Sequence, residues 1–269
     1  MEIFKGQNLL EFSDRFKDDL SCKEYLSELK WERGYKCVKC GHKSSQQRKD
    51  FSRTCNRCSH TESSTANTLF HKVKFGLRKA FFICFEMGTT TKSLSASYMS
   101  VRYGITETTA RLFMHKVREA MKSSENNPMD GTVEVDEFVL GGYEEGKVGR
   151  SYDAKKKKAV TALQLDENKK VRRMYVRQID NFSAKELKVI FQHHISKDAL
   201  VRTDGWRGYL PLRKKGYKIE QEKSEGGKNF KILHTMIHQV KSWIRTTYCW
   251  VSDHHAQRYY NEFCYRLNR

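Results

Sequence analysis

Apolar residues change their spacing several times along this chain, and each change predicts a different element. Phe12 to Trp31 carries apolar positions at helical period and predicts a short helix pair. From about Phe75 to Met121 the period is again helical. There, Ala80–Met87 has a dense apolar face, Leu94–Met99 opens a second segment that stops at Tyr103-Gly104, and Thr106 is placed to cap a third helix. Leu112, Phe113 and Val117 recur at helical spacing in that third helix, and Arg111 and Lys116 are its candidate DNA contacts. A helix, a glycine turn and a basic helix make a helix-turn-helix-like pattern whose second helix suits a major groove; a plain three-helix packing unit has the same periodicity.

Asn126-Asn127-Pro128-Met129-Asp130-Gly131 breaks the helical period, and β-type segments follow. The reading is a strand Val133–Asp136, a glycine-rich excursion Gly141–Gly149, a strand Lys158–Leu165, a turn at Asp166-Glu167-Asn168 and a strand Val171–Ile179. A helix Ser183–His194, a strand Ala199–Thr203, a turn Trp206–Leu210, a strand Tyr217–Gln221 and two closing helices complete it. Two of these strands run straight into an aspartate, Asp136 and Asp204. An aspartate after a strand is often a turn former or a helix cap. Here the element order β-β-β-α-β is that of a ribonuclease H-like α/β domain, in which the first and fourth strands lie side by side. In such a layout Asp136 and Asp204 meet, as two carboxylates held rigidly enough for metal-assisted phosphoryl chemistry.

Charge narrows the choice of partner. Lys and Arg number 51 against 32 Asp and Glu, a formal net charge of +19 that is spread along the whole length. Such an excess is the footprint of a dense phosphate backbone, double-stranded DNA. The richest apolar run, Ala80–Phe85, stops at Glu86 and falls well short of the roughly 20 residues of a spanning helix, so no membrane role is expected. Met1–Leu20 has scattered acids and no apolar core of a signal peptide, which points to a cytoplasmic, nucleoid-associated protein. Four of the eight cysteines form two pairs, Cys37 with Cys40 and Cys55 with Cys58, separated by fourteen residues. Two such knuckles close a tetrahedron around one structural Zn²⁺ and turn the intervening segment into a ribbon hairpin. Gly41 and Ser59 stand where the knuckles must turn, Arg48, Lys49, Arg53 and Arg57 give the ribbon a basic skin, and the preceding helix pair is expected to pack on it.

Taken as a set, the ribbon, the Val133–Phe138 box with Gly141-Gly142, the Thr203–Tyr209 box, the His234–Trp243 segment and the terminal Tyr260–Arg269 resemble one family. They look like the insertion-sequence transposases that carry an N-terminal zinc ribbon and a DDE-type catalytic domain. The resemblance spans nearly the whole chain. It implies a multidomain α+β protein with a zinc-ribbon module at 1–70, a helix-turn-helix-like module at 71–128 and a ribonuclease H-like catalytic domain at 129–269. It further implies a DNA transposase that binds terminal inverted repeats as a homodimer or higher oligomer, and cleaves and transfers strands with two Mg²⁺ or Mn²⁺ ions.

Within that resemblance Asp136 and Asp204 are the first and second metal ligands. The third place falls in His234–Trp243, about 35 positions beyond Asp204, where no Asp or Glu occurs. Gln239 is the candidate, His238 is the alternative, and Lys241 is a point charge for phosphate. Strand alternation puts Glu134 on the face of Asp136 and turns Glu137 away. Arg150 and the run Lys155, Lys156, Lys157 and Lys158 suit either a DNA backbone or a solvated surface. Glu262 is a reserve carboxylate whose simpler reading is an exposed charge. A DNA-binding regulator with a relic catalytic fold and a general nuclease of the same fold fit these boxes as well.

Overall fold

The computed structural model describes residues 8–141, 156–223, 225, 228–248 and 250–269. The glycine-rich excursion beyond Gly141, together with Arg150 and Lys155, lies outside the described residues. Two compact units divide the chain: Met1–Thr89 with Ala96–Val117, and Thr90–Ser95 with Arg118–Arg269.

In the first unit, Asn8 and Glu11 form a capping box at the start of α1 (Leu9–Arg15), and Asp18 and Ser21 do the same for α2 (Asp19–Trp31). Three short antiparallel strands follow in sheet order β1 (Ser45–Gln47), β2 (Arg53–Cys55) and β3 (Thr61–Glu62). Then comes α3 (Leu77–Thr89). Phe12, Phe16 and Leu26 pack on Leu77 and Phe81, so the helix pair rests chiefly on α3 and not on the small sheet. Its C-terminal end reaches the sheet region, where Trp31 packs with Tyr35 and the cysteines and Lys30 pairs with Glu62 of β3 at 2.6 Å. The reason is supply of apolar surface: α3 offers a face rich in phenylalanine, whereas the short strands are largely exposed or half-buried.

Two further helices, α4 (Ala96–Tyr103) and α5 (Glu107–Ala120), are joined by Gly104-Ile105-Thr106. Gly104 takes φ +57°, and the Ile105 N–H donates back to the Ser100 carbonyl at 3.1 Å, a Schellman closure that a Cβ would strain. Thr106 Oγ1 then accepts the Thr109 N–H at 3.2 Å and caps α5.

The second unit is a five-stranded mixed sheet with helices on both faces. Its elements are β4 (Thr132–Leu140), β5 (Lys157–Leu165), β6 (Val171–Ile179), α6 (Ala184–His194), β7 (Leu200–Asp204), α7 (Leu210–Arg213), β8 (Lys218–Glu222), α8 (Lys231–Arg245) and α9 (Asp253–Asn268). The sheet order is β6-β5-β4-β7-β8, with β4 antiparallel to β5 and parallel to β7. Strand β4 continues to Leu140, past the expected end at Asp136, because β5 pairs with it over its full length. Alternation along β4 sends Phe138 and Leu140 into a core with α8 and α9, and Val133 and Val135 into a core with α6.

Strand β6 is an edge, and α9 covers it with amides. Gln257 accepts the Gln178 N–H and donates to the Val176 carbonyl, while Asn268 does both for Met174, at 2.8 to 3.0 Å. These side chains take the place of a sixth strand and blunt a surface otherwise open to pairing.

Glu262, which the sequence reads as an exposed charge, is fully buried on α9. It accepts from Arg118 Nε at 2.6 Å and from Arg266, and Arg266 also donates to the carbonyls of Thr90 and Lys92. The pattern of sequence spacing could not foresee this, because the partner Arg118 stands 144 positions away. Removing one member of a buried ion network strands the others, at a cost of roughly 3–5 kcal/mol. Glu262→Gln is therefore expected to lower the denaturation midpoint by that scale; a shift no larger than that of the exposed Glu167→Gln would contradict the role assigned to it.

Candidate metal centres

The first centre lies where the pairing of β4 with β7 stops. The two strands pair from Thr132 with Leu200 to Val135 with Thr203, so Asp136 is the first residue past the paired stretch and Asp204 is the last residue of β7. One carboxylate oxygen from each of Asp136, Glu137 and Asp204 lies within 4.8 Å of the other two. Glu137 is thus part of the cluster, against the expectation from alternation that it points elsewhere. It leaves β4 on the opposite face from Asp136, at a position where β4 no longer pairs with β7, and its longer side chain brings a carboxylate oxygen to the two aspartates.

Glu134 takes the other course. It is buried on the face of Asp136, and Arg202 Nη1, from the register partner on β7, donates to it at 3.1 Å. Arg202 also holds Glu222 at 2.6 Å. Burial raises the Glu134 pKa, and Arg202 opposes the rise. This glutamate belongs to an ion network and not to the acidic cluster.

Four bonds fix the turn that carries Asp204. Its Oδ1 accepts the Trp206 N–H at 3.0 Å, Gln221 on β8 donates to the Asp204 and Trp206 carbonyls, and Trp206 Nε1 donates to the Phe182 carbonyl at 2.9 Å. Gly208 lets the chain pass directly over the indole: a Cβ there would stand 2.5 Å from Trp206 Nε1 and 3.0 Å from the Phe182 carbonyl oxygen. The spacing Asp-Gly-Trp-Arg-Gly-Tyr is thus a clustered carboxylate, an anchor, a close approach and a buried ring in order.

Helix α8 supplies the remaining wall. His234 Nε2 lies 3.3 Å from Asp136 Oδ2. At about 100° per residue, His238 stands about 40° and Lys241 about 20° from His234 around the helix, whereas Gln239 stands about 140° away. Gln239 is exposed. His238 and Lys241 line one groove together with Ser242, Arg245 and Thr246. Burial and then Arg245 push the Lys241 pKa down, while Asp136 opposes them, so its charge bears on the cluster. His234 escaped the sequence reading, although the 4-and-3 spacing of 234, 238 and 241 marks a single helix face.

Residues 128–268 match the ISXO2-like transposase domain. The chain belongs to this transposase family. Membership implies a DNA-binding, nuclease-like enzyme, and the matched stretch contains both aspartates, Glu137 and all of α8. A comparison with curated proteins finds no match.

The second centre precedes the transposase domain. Sγ atoms of Cys37 and Cys58, and of Cys40 and Cys55, are 3.6 Å apart, close to the edge of about 3.8 Å of a tetrahedron with metal–sulfur bonds near 2.3 Å. The two knuckles repeat one geometry: Gly41 N–H to Cys37 carbonyl and Ser59 N–H to Cys55 carbonyl, with φ of +73° and +55° at the turning residues. Desolvation acts against the Cys37 thiolate, but the N–H groups of Cys40 and Lys39 together with the thiols of Cys58 and Cys40 bring its pKa down to about 6. Four sulfurs so arranged suit a closed zinc site.

Of the candidate DNA contacts, Arg111 and Lys116 are exposed on α5, and Lys116 Nζ also donates to the His71 carbonyl at 3.1 Å. Lys156 and Lys157 are half-buried at the start of β5, and Lys157 pairs with Asp253 at 3.4 Å. Among the described residues no helix is long and apolar enough to cross a membrane.

The Trp206 anchor yields a direct test. Gly208→Ala must displace the indole and is expected to cost about 1–3 kcal/mol in a denaturant titration. Gly205→Ala, where a Cβ meets nothing within 4 Å, is expected to stay within about 0.5 kcal/mol of wild type. Equal costs would refute the close-approach account.

Proposed function

We propose that the protein is a DNA transposase that binds the terminal inverted repeats of an insertion sequence, hydrolyses a strand at each end and joins the freed 3′-hydroxyl to target DNA. The observation that carries this reading is the delivery of Asp136 and Asp204, from adjacent parallel strands, to one point beside the cationic face of α8 within a transposase-family domain. The sheet order and the placement of α6 support a ribonuclease H-like catalytic domain.

In this reading Asp136 and Asp204 hold the divalent cations. Bound there, Mg²⁺ or Mn²⁺ supplies Lewis acidity for the attacking and leaving oxygens. The chain's own part is orientation. The Glu137 N–H and His234 fix the Asp136 carboxylate, and the Trp206 N–H fixes that of Asp204. Lys241 offers its ammonium to the scissile phosphate. On α8 we assign the third place to the face of His234 and His238, since Gln239 stands off that face. Imidazole favours Mn²⁺ over Mg²⁺ as the working ion.

The four cysteines hold a structural Zn²⁺, and α5, capped by Thr106 and carrying Arg111 and Lys116, enters a major groove as the second member of a helix-turn-helix. Lys155, Lys156 and Lys157 follow the DNA backbone. Joining two ends to one target requires at least a homodimer. A DNA-binding regulator with a relic site is the second reading, favoured by the absence of any Asp or Glu on α8.

Cleavage of labelled end oligonucleotides separates the two. Wild type is expected to cut in Mn²⁺, and Asp136→Asn to bind the same DNA with cleavage reduced by about 10³-fold, the scale for losing a group that stabilises transition-state charge. Undiminished cutting by the variant, or none by wild type, overturns the transposase reading. Elemental analysis is expected to give one zinc per chain, lost in Cys37→Ser together with thermal stability of the N-terminal unit; a zinc-free native protein refutes the ribbon.

A further inference from the structure

The acidic cluster holds one carboxylate more than the two aspartates of the reading above, and a second feature lies beneath it. Tyr209 ends the 3₁₀ turn Arg207–Tyr209 that follows Asp204, and it is fully buried among α6 and the sheet, its ring 6.1 Å from Phe191. Its hydroxyl is buried and meets no partner at full hydrogen-bond geometry, and the acceptor within its reach is the Glu137 side chain. Burial raises its pKa well above the ordinary value, and the charge of Glu137, the hydrogen-bonding contact with that glutamate, and then the charges of Asp136 and Asp204 add to the rise. A buried hydroxyl left unused costs about 1–3 kcal/mol, so the position calls for an acceptor, and the carboxylate beside it is Glu137.

Helix α8, where a third acid would be sought, runs Lys231–Arg245 without an Asp or Glu. Two aspartates alone leave a hard cation short of anionic oxygen. Glu137 reaches the same point from the α6 face of β4, through the gap left where β7 ends, while Asp136 arrives from the α8 face.

We propose that Glu137 is the third carboxylate of this metal site and that Tyr209 is its positioning residue, donating the buried hydroxyl to hold the glutamate toward the cations. The assignment rests on Asp136 and Asp204 being the metal ligands. It makes the site three acids from two strands, with α8 contributing imidazole and ammonium only. Tyr209 acts through Glu137 and touches neither metal nor DNA.

The test is Mn²⁺ binding to the full chain without DNA, followed by titration calorimetry, with thermal melting of each variant as a check on folding. Wild type binds, and Asp136→Asn abolishes or nearly abolishes binding. Glu137→Gln weakens it at least about tenfold and Tyr209→Phe by about tenfold, the scale expected when an orienting hydrogen bond to a ligand is removed. Glu137→Asp, one methylene shorter with the charge kept, falls between wild type and Glu137→Gln. Wild-type affinity in Glu137→Gln while Asp136→Asn fails to bind overturns this proposal and leaves the two-aspartate site standing. Undiminished binding by Asp136→Asn overturns the site itself. If Glu137→Gln does not fold, Tyr209→Phe decides, and wild-type affinity there overturns the proposal.

Discussion

Parallel pairing of β4 with β7 is the constraint on which the candidate catalytic site depends. Parallel neighbours cannot be joined by a hairpin, so the chain between them must travel through β5, β6 and α6 before returning. That detour builds one face of the sheet and brings Asp204 back beside Asp136, 68 positions after it in the sequence. Asp204 then stands at the carboxyl end of β7, and Asp136 at the point of β4 where its pairing with β7 stops, on the side of the sheet where open α/β folds bind their ligands. Because β7 stops one residue after its last pairing with β4, that end is a gap and not a continuous ladder.

Charge is arranged in two opposing ways around this point. The chain as a whole carries +19, which draws a phosphate backbone toward it, yet the cluster itself is a concentration of carboxylates that repels phosphate at short range. A divalent cation reverses the local sign without altering the distant attraction. His234 and Lys241, on one face of α8, lie beside the acids, while Glu134 is neutralised by Arg202 and takes no part. Farther away, Glu262 between Arg118 and Arg266 uses charge for a structural end, tying α9 to the segment Thr90–Ser95.

Elements with strong periodicity were legible from residues alone. Strand β6 coincides with the predicted Val171–Ile179, and Gly104 and Thr106 end one helix and cap the next as their types suggest. The two cysteine pairs meet as their spacing requires. The places that escaped were those where a distant segment decides the environment. Glu262 has the pattern of a surface residue until Arg118 arrives, and Glu137 follows strand alternation until the neighbouring strand runs out. The helix pair at the N-terminus found a larger apolar surface in α3 than in the small three-stranded sheet.

Sequence by itself determined the element types, the spacing of the two cysteine pairs, the basic character and the two candidate aspartates, because each rests on local spacing or on a sum over residues. It also carried the resemblance to the family that residues 128–268 bear out. Only the tertiary structure decided which side chains share a site: Glu137 rather than Glu134 beside the aspartates, His234 against Asp136, and Tyr209 beneath them. Those choices depend on where strands end and which helix face turns inward. Such facts arise from packing between segments far apart in the chain, and no local period encodes them.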